Sequence, residues 1–272
     1  MSWLDGPASE TQITHRARLW LYVAAALILA FLLIPTLIVI PMSFSASQYL
    51  EFPPKTWSLR WYQAYFSSTS WMQATYTSLK AGALTALIAT PVGTMAAYGL
   101  HASRFKWGSA IYVALVTPII VPVILVGIAV FYVYVQLKLV NSLIGVVLAH
   151  TMLAIPIVLM IVTSALKSFD MNQERVARSL GASRAKAFLL VTMPQIRFSL
   201  VTGAVLAFLT SFDEVIVAMF VSGGENSTLT RNMFNALRDQ IDPTIAAIST
   251  IMIIITSLLL AVSQIFSKPD RR

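Results

Sequence analysis

The chain has 272 residues, of which 57% are hydrophobic and only 11% are charged, and its mean hydropathy is +0.77. Soluble domains carry roughly a quarter of their residues as charges, so this composition predicts an integral membrane protein. The net charge of +8 then points to membrane topology rather than to nucleic acid, for which the sequence holds no motif. The chain has no cysteine, which excludes disulfides and thiolate chemistry.

Six apolar stretches are long enough to cross a membrane, which takes roughly 20 residues in a helix. Each is predicted to be helical, because backbone polar groups in lipid must be satisfied within the segment. The predicted spans are residues 19–43, 74–100, 110–137, 143–166, 198–221 and 244–266. The prolines Pro118, Pro122 and Pro156 are expected to kink the third and fourth spans. The expected fold is all-α, with a six-helix domain at 19–267 between a segment at 1–18 and a tail at 268–272.

The positive charges orient these spans. The loops on one side carry Lys55, Arg60, Lys138, Arg231 and Arg238, whereas nearly all the rest of the 19 Lys and Arg residues fall on the side of the N-terminus. Cytoplasmic loops carry the excess of Lys and Arg, so both termini are predicted to lie in the cytoplasm. The first apolar run is about 25 residues long, beyond the roughly 7–15 of a signal peptide, and is interpreted as a retained anchor.

A basic segment at residues 168–195 interrupts the apolar pattern between the fourth and fifth spans. It concentrates four cations around one glycine, namely Arg175, Arg178, Arg184 and Lys186. Binding to anionic lipid headgroups is one interpretation of such a cluster. Docking to another protein is the alternative, because a lipid-binding patch needs no glycine at a fixed position.

The same segment is predicted to form two short helices. Asp170 and Gln173 match the N-cap and its box partner, and Glu174 can pair with Arg178 four residues on. The residues Val176, Ala177 and Leu180 share one face of this first helix. We expect Gly181 to end it in a left-handed conformation. A second helix is then capped by Ser183 and runs to about Met193, and Pro194 marks the entry to the fifth span.

This spacing resembles the EAA motif of the membrane subunits of ABC importers, which reads Glu-Ala-Ala, three residues, Gly, nine residues, then Ile-x-Leu-Pro. Anchored on Gly181, the stretch Val191-Thr192-Met193-Pro194 falls on the end of the motif, and Leu180-Gly181-Ala182-Ser183 matches its elbow. Arg175-Val176-Ala177 stands in for Glu-Ala-Ala, with Glu174 one residue early. The resemblance implies coupling to an ATPase through Glu174, Arg175, Val176, Ala177, Arg178, Leu180, Gly181, Ala182 and Pro194.

Most of the chain is similar to the spermidine/putrescine branch of this family, through TSLKAGALTALIATPVGTMAAYGL near the second span and SFDEVIVAMFVSG in the fifth. The resemblance implies a type I ABC importer fold and a permease forming half of a pore in the bacterial inner membrane. The implied partners are an ABC ATPase dimer, a second permease expected to be a different chain, and a solute-binding protein outside. No G-x-x-x-x-G-K-[ST] is present, so ATP and Mg are expected on the partner ATPase. We expect no catalytic residue, cofactor or metal in this chain.

Buried polar residues suggest the transport path. Asp213 and Glu214 lie in the outer half of the fifth span, where carboxylates are costly and usually functional, unless they already reach the interface. Paired carboxylates suit a cationic amine, which agrees with the polyamine resemblance. An amino-acid-like solute such as γ-aminobutyrate, or a phosphonate, is the alternative cargo in this branch. His150 is a further path candidate, or it bonds between helices.

The outer loop before the last span holds Asn226, Arg231, Arg238 and Asp239, which are candidates for contacts with the binding protein. Two other classes compete with an ABC permease. A secondary transporter would more often show inverted repeats and a charge at the midplane, and neither is evident. An intramembrane enzyme is disfavoured because the sequence has neither G-x-S-x-G nor H-E-x-x-H.

Overall fold

The computed structural model describes residues 14–103, 106–239 and 242–267, with the side chains of the last helix described as far as residue 262. The predicted N-terminal segment lies mostly outside these ranges, and the tail at 268–272 lies wholly outside them. The helices in chain order are α1 Leu19–Met42, α2 Arg60–Ser67, α3 Thr69–Ala102, α4 Gly108–Ile120, α5 Val123–Leu137, α6 Leu143–Ser168, α7 Asn172–Ser179, α8 Arg184–Ala187, α9 Met193–Gln195, α10 Arg197–Phe212, α11 Ile216–Val221, α12 Leu229–Asp239 and α13 Thr244–Ser267. A π-helical turn, Phe188–Thr192, joins α8 to α9. The all-α prediction is confirmed.

Within the described residues, four helical stretches are long and apolar enough to cross a membrane. They are Arg16–Met42, Thr69–Ala102, Leu143–Ser168 and Thr244–Val262. The number rises to as many as six when each of two sharply bent helix pairs is counted as one span. The predictions of the first, second, fourth and sixth spans are therefore confirmed as helices.

The third predicted span is broken rather than continuous. Helices α4 and α5 meet at an angle of 100°. The break falls at Val121, which is extended with φ −71° and ψ 134°, directly before Pro122. The proline ring disfavours helical geometry in the residue before it and cannot donate a backbone hydrogen bond. The expected kink at Pro122 is confirmed, whereas α4 continues through Pro118 and α6 through Pro156.

The prediction of the fifth span as one helix over 198–221 is wrong. Helix α10 ends at Phe212 and α11 begins only at Ile216, so three residues including Asp213 and Glu214 separate them. Before α10, the helical stretch Arg184–Gln195 meets Arg197–Phe212 at 80°. The span therefore has a bend at its beginning and an interruption near its end.

By the density of its internal contacts the chain forms two compact units, Met1–Ala64 with Ile241–Ile251, and Tyr65–Gln240 with Met252–Arg272. In the described part of the first unit, the ring of Phe44 packs in a tilted arrangement against Trp57 and Tyr62, with centroid distances of 6.3 and 5.3 Å. The Arg60 guanidinium donates to the carbonyl of Ala46 at 2.9 Å. These contacts fold the segment after α1 back on itself.

The second unit is built on α3, α6 and α10, which pack together. Small residues allow the close approach, as is usual between helices in membranes. Ala81, Ala89 and Ala97 on α3 are fully buried. At Gly93 an added Cβ would lie 2.8 Å from the Cβ of Val158 on α6, so only glycine fits there. This bundle carries the basic loop at one end and the residues around Asp213 nearer the other.

Candidate functional site

The first candidate site is the basic segment at residues 168–195, called the coupling loop below. The Asp170 carboxylate accepts from the backbone N–H of Asn172 at 3.0 Å, but α7 begins at Asn172 with Met171 as its N-cap. The predicted capping box is wrong in its second half. The Gln173 side chain does not turn back to the cap and instead accepts from the amide of Gln195 at 2.5 Å.

The glycine elbow of the coupling loop agrees with the prediction. Gly181 has φ +94°, a conformation that side-chain-bearing residues rarely adopt. The N–H of Ala182 reaches back to the carbonyl of Ala177 at 3.1 Å, which closes the end of α7. Ser183 caps the second helix by accepting from the N–H of Lys186 at 3.3 Å. The prediction placed the end of this second helix near Met193, and it lies at Gln195, after the π-helical turn.

Glu174 is buried and joins three parts of the unit. Glu174 is only 3% exposed, although α7 is rich in polar and charged residues. The Tyr98 hydroxyl, from the end of α3, donates to Oε1 at 2.5 Å. The Thr192 hydroxyl, from the π-helical turn, donates to Oε2 at 2.7 Å. The carboxylate therefore holds α7 against both α3 and the entry to α10.

The expected pairing of Glu174 with Arg178 is replaced by these two bonds. The Tyr98 ring also packs on Phe188 with centroids 4.6 Å apart, which closes one side of the carboxylate. Tyr98 and Thr192 were not recognised as site residues from the sequence. One feature of the sequence could have identified them. Each is a polar residue near the end of a predicted span, on the side of the membrane that carries the EAA-like segment.

The opposite face of α7 is exposed. A shift of one residue on a helix turns a side chain by about 100°, so Arg175 points away from the direction of Glu174. The Arg175 guanidinium donates to the side-chain oxygen of Asn172 at 3.1 Å. Val176 on α7 is 59% exposed, and Leu180, the C-cap of α7, is 84% exposed. Exposed apolar side chains next to arginines in the sequence have the composition of a protein-docking surface.

The second candidate site is the break between α10 and α11. Glu214 accepts from the N–H of Val217 at 2.7 Å and thereby caps α11, while its backbone carbonyl accepts from the Thr230 hydroxyl at 2.8 Å. The carboxylate of Asp213 makes no hydrogen bond or ion pair with any of the residues that the structure describes. The two neighbouring carboxylates therefore differ. Glu214 caps α11, whereas Asp213 has no hydrogen-bond or ion-pair partner among the described residues.

A cavity of about 590 Å³ opens beside this break. Asp213 and Glu214 line it together with two hydroxyl residues and apolar side chains from α10 and α13, namely Thr210, Thr256, Leu209, Met252 and Ile253. Both threonine hydroxyls donate to helix carbonyls, Thr210 to Leu206 and Thr256 to Met252, so their oxygens keep lone pairs for a ligand. The cavity offers acceptors beside a short apolar wall.

His150 does not line that cavity. It is fully buried, and its Nδ1 lies 2.7 Å from the Ser211 hydroxyl on α10, which confirms the predicted hydrogen bond between helices. Its Nε2 has no hydrogen-bond partner among the residues described. The structure thus brings together Asp213 and Glu214, and places His150 inside the bundle.

A third feature is a cavity of about 380 Å³ at the end of the bundle away from the coupling loop. Ser70 and Gln73 of α3 form one wall, and Glu225 and Arg231 form another. The Nη1 atom of Arg231 is buried without a partner among the described residues, and burial lowers the pKa of this guanidinium. Ser70 and Gln73 were not predicted.

The other outer-loop candidates are engaged within the chain. The side-chain amide of Asn226 donates to the carbonyl of Asn141 at 3.0 Å. Arg238 and Asp239 form an exposed ion pair with 2.9 Å between Nε and Oδ1. Arg231 is thus the member of the predicted set with a buried nitrogen still able to donate.

Comparison with known proteins supports a transport role. Residues 89–268 match the family described as "Binding-protein-dependent transport system inner membrane component". The putrescine transport system permease protein PotI of Escherichia coli (strain K12) is 30% identical over 86% of this chain and 85% of its own. The spermidine/putrescine transport system permease protein PotC of Haemophilus influenzae is 28% identical over 89% of this chain and 93% of its own.

Among solved structures, a chain of a bacterial ABC transporter involved in the import of the acidic polysaccharide alginate superposes with a TM-score of 0.71. The match covers 94% of this chain and 99% of the other at 16% identity, so it supports the fold alone. The predicted importer fold and family are both confirmed. The chain belongs to the binding-protein-dependent transport system inner membrane components and is a permease component of an ABC importer.

Proposed function

We propose that this permease forms half of a translocation pore for a diamine or polyamine such as putrescine or spermidine. The observation that carries the proposal is the free carboxylate of Asp213 in the wall of the α10–α13 cavity. An ammonium group donates only, and this wall supplies acceptors only, from one carboxylate and two threonine hydroxyls. The apolar side chains of Leu209 and Met252 suit the methylenes between two amines. The relatives named for putrescine and spermidine transport agree with this chemistry.

Asp213→Asn tests this assignment. We expect putrescine uptake by the assembled transporter to fall about tenfold, since a hydrogen bond to a charged group contributes ~1.5–3 kcal/mol. The matched control is Glu214→Gln, in which the side-chain oxygen can still cap α11, and its uptake should change by less than about threefold. The measurement is initial uptake of radiolabelled putrescine into vesicles. Equal losses in the two variants would contradict a special role for Asp213.

The partners follow from the two ends of the bundle. The exposed face of α7 is the docking surface for an ABC ATPase dimer, which binds the ATP and Mg. A second permease, a different chain, completes the pore, and a solute-binding protein delivers the cargo outside. In this proposal the partner ATPase hydrolyses the ATP, and this chain contributes the transport path. The excess of Lys and Arg near the coupling loop supports cytoplasmic termini.

Arg231 is proposed to receive an acidic side chain of the solute-binding protein. Its buried, unpartnered nitrogen would gain a charged acceptor on docking. We expect Arg231→Gln to weaken binding of the loaded binding protein about tenfold in a titration at low salt. Arg238→Gln is the matched control, because that guanidinium is already paired with Asp239 at the surface. If Arg238→Gln weakened binding as much as Arg231→Gln, the docking role of Arg231 would be wrong.

The cargo itself is tested with the full transporter in proteoliposomes. ATPase activity is recorded with the binding protein loaded with putrescine, spermidine or γ-aminobutyrate. Stimulation by the two amines and not by the zwitterion is the expected result. Stimulation by γ-aminobutyrate alone would keep the importer and overturn the amine cargo.

A further inference from the structure

A third cavity, of about 470 Å³, lies at the coupling-loop end of the bundle and belongs to none of the sites above. Its walls come from the last turns of α3 and α6 and from the first turns of α4. Two basic side chains line it, His101 from α3 and Lys167 from α6. The described residues that line it include no carboxylate, so the charge of Lys167 is not balanced within the cavity.

Neutral donors surround the two basic side chains. Ser109 and Tyr112 of α4 bring hydroxyls to the cavity, as does Thr163 of α6. The Thr163 hydroxyl oxygen is buried and has no hydrogen-bond partner among the described residues. Thr85, Thr90, Thr94 and Thr151 are buried without a partner in the same way, but of these five threonines only Thr163 lines this cavity. A buried hydroxyl left without a partner is a group that a ligand can satisfy.

The backbone adds to the same preference. Helix α4 begins at Gly108, which lines the cavity, and its N-cap Trp107 has no side-chain oxygen to satisfy the first N–H groups. Such a helix start favours an anion, and here it coincides with the two basic side chains and the unpartnered hydroxyl. The combination of a lysine ammonium, an imidazole, hydroxyl donors and backbone N–H groups is suited to phosphate oxygens.

The surroundings indicate which phosphate. Leu100 and Val113 form apolar walls of the cavity, and Trp107 beside it is 68% exposed. Exposed tryptophan at the end of a spanning helix is typical of the depth of lipid headgroups. A free inorganic anion has no apolar surface to bury against such walls, whereas the acyl chains of a phospholipid can pack against them. Basic pockets between helix ends at this depth are known to bind anionic headgroups.

We propose that the cavity between His101 and Lys167 binds the phosphodiester headgroup of an anionic phospholipid. The lipid fills the space between the ends of α3, α4 and α6 and holds the first turns of α4 against the bundle beside the coupling loop. The proposal is independent of the cargo, because none of the residues lining this cavity lines the α10–α13 cavity.

The test is native mass spectrometry of the full chain, released from detergent with phosphatidylglycerol or phosphatidylcholine at equal concentration. The wild-type chain should retain phosphatidylglycerol in preference to phosphatidylcholine. Lys167→Gln should weaken phosphatidylglycerol binding about fivefold, the usual effect of one lysine near an anionic membrane surface. Thr163→Val keeps the shape of the side chain and should also weaken binding about fivefold, the usual effect of one hydrogen bond. The matched control Lys55→Gln should bind as the wild type does.

Three outcomes would overturn the proposal. Equal retention of the two lipids would show that the cavity does not select an anion. Unchanged phosphatidylglycerol binding in both Lys167→Gln and Thr163→Val would place the lipid elsewhere. Displacement of the lipid by millimolar inorganic phosphate would identify a free anion as the ligand instead.

Discussion

Replacing Glu174 with alanine is expected to lower solute uptake by the assembled transporter between about tenfold and 100-fold while ATP hydrolysis continues. The substitution removes the acceptor of the hydrogen bonds from Tyr98 and Thr192. Each hydrogen bond to a charged group contributes ~1.5–3 kcal/mol, so a combined loss of ~3 kcal/mol makes the docked position of α7 roughly 100-fold less favoured. Motion of the ATPase would then displace α7 without moving α3 and α10. The measurement is the ratio of solute transported to ATP hydrolysed.

Removing the two hydroxyl donors instead of the carboxylate should cause the same loss of uptake. Tyr98→Phe and Thr192→Val each remove one bond, and the double variant should approach Glu174→Ala because all three act through one carboxylate. Tyr132→Phe is the control, since it removes a hydroxyl from a side chain that is 70% exposed. Hydrogen exchange of the α7 amides reports the local effect directly. Unchanged exchange in Glu174→Ala would show that the carboxylate does not hold this helix.

Gly181→Val is expected to uncouple ATP hydrolysis from transport without preventing membrane insertion. Gly181 has φ +94°, and an added Cβ would meet no atom within 4 Å. The effect is therefore one of backbone strain rather than collision, and it costs about 1–3 kcal/mol for a residue that avoids positive φ. Relief of that strain turns the elbow and misaligns α7 with α8. The measurement is uptake and ATPase activity in the same proteoliposomes.

Gly181→Asn separates the strain from the change in size. Asparagine tolerates left-handed geometry better than valine does, so this variant should retain most of the uptake that valine loses. Equal uptake by the valine variant and the wild type would refute the role of the elbow. Equal loss with asparagine and valine would point to a requirement for bare backbone in a partner contact.

The membrane helices were predictable because their signal is local. A run of about 20 apolar residues in lipid has few options other than a helix, and α1, α6 and α13 follow their predicted spans closely. The glycine elbow was equally predictable, because the left-handed conformation of Gly181 and the helix cap at Ser183 depend only on residues close to them in the sequence. The bend at Pro122 was expected, but its 100° angle depends on how α4 and α5 pack and has no sequence signal.

The predictions failed where contacts between residues far apart in the sequence determine the structure. Glu174 seemed free to pair along its own helix, but Tyr98, 76 residues away, and Thr192 take its carboxylate. The fifth span reads as one apolar run, but at its interruption the Glu214 carboxylate caps α11 and the Thr230 hydroxyl, from α12, donates to the Glu214 carbonyl. The difference between Asp213 and Glu214 has the same origin. Adjacent carboxylates are alike in the sequence, and their roles separate only when the backbone breaks between them and the next helix.

One measurement tests the coupling account most directly. Because the chain has no cysteine, Leu180→Cys introduces a single thiol on a side chain that is 84% exposed. With a short thiol–amine cross-linker, the assembled transporter should give a covalent product between this thiol and the ATPase. Leu137→Cys, at the end of α5, should give none. A Leu180→Cys that stays fully reactive to a water-soluble maleimide in the complex and forms no product with the ATPase would contradict the account.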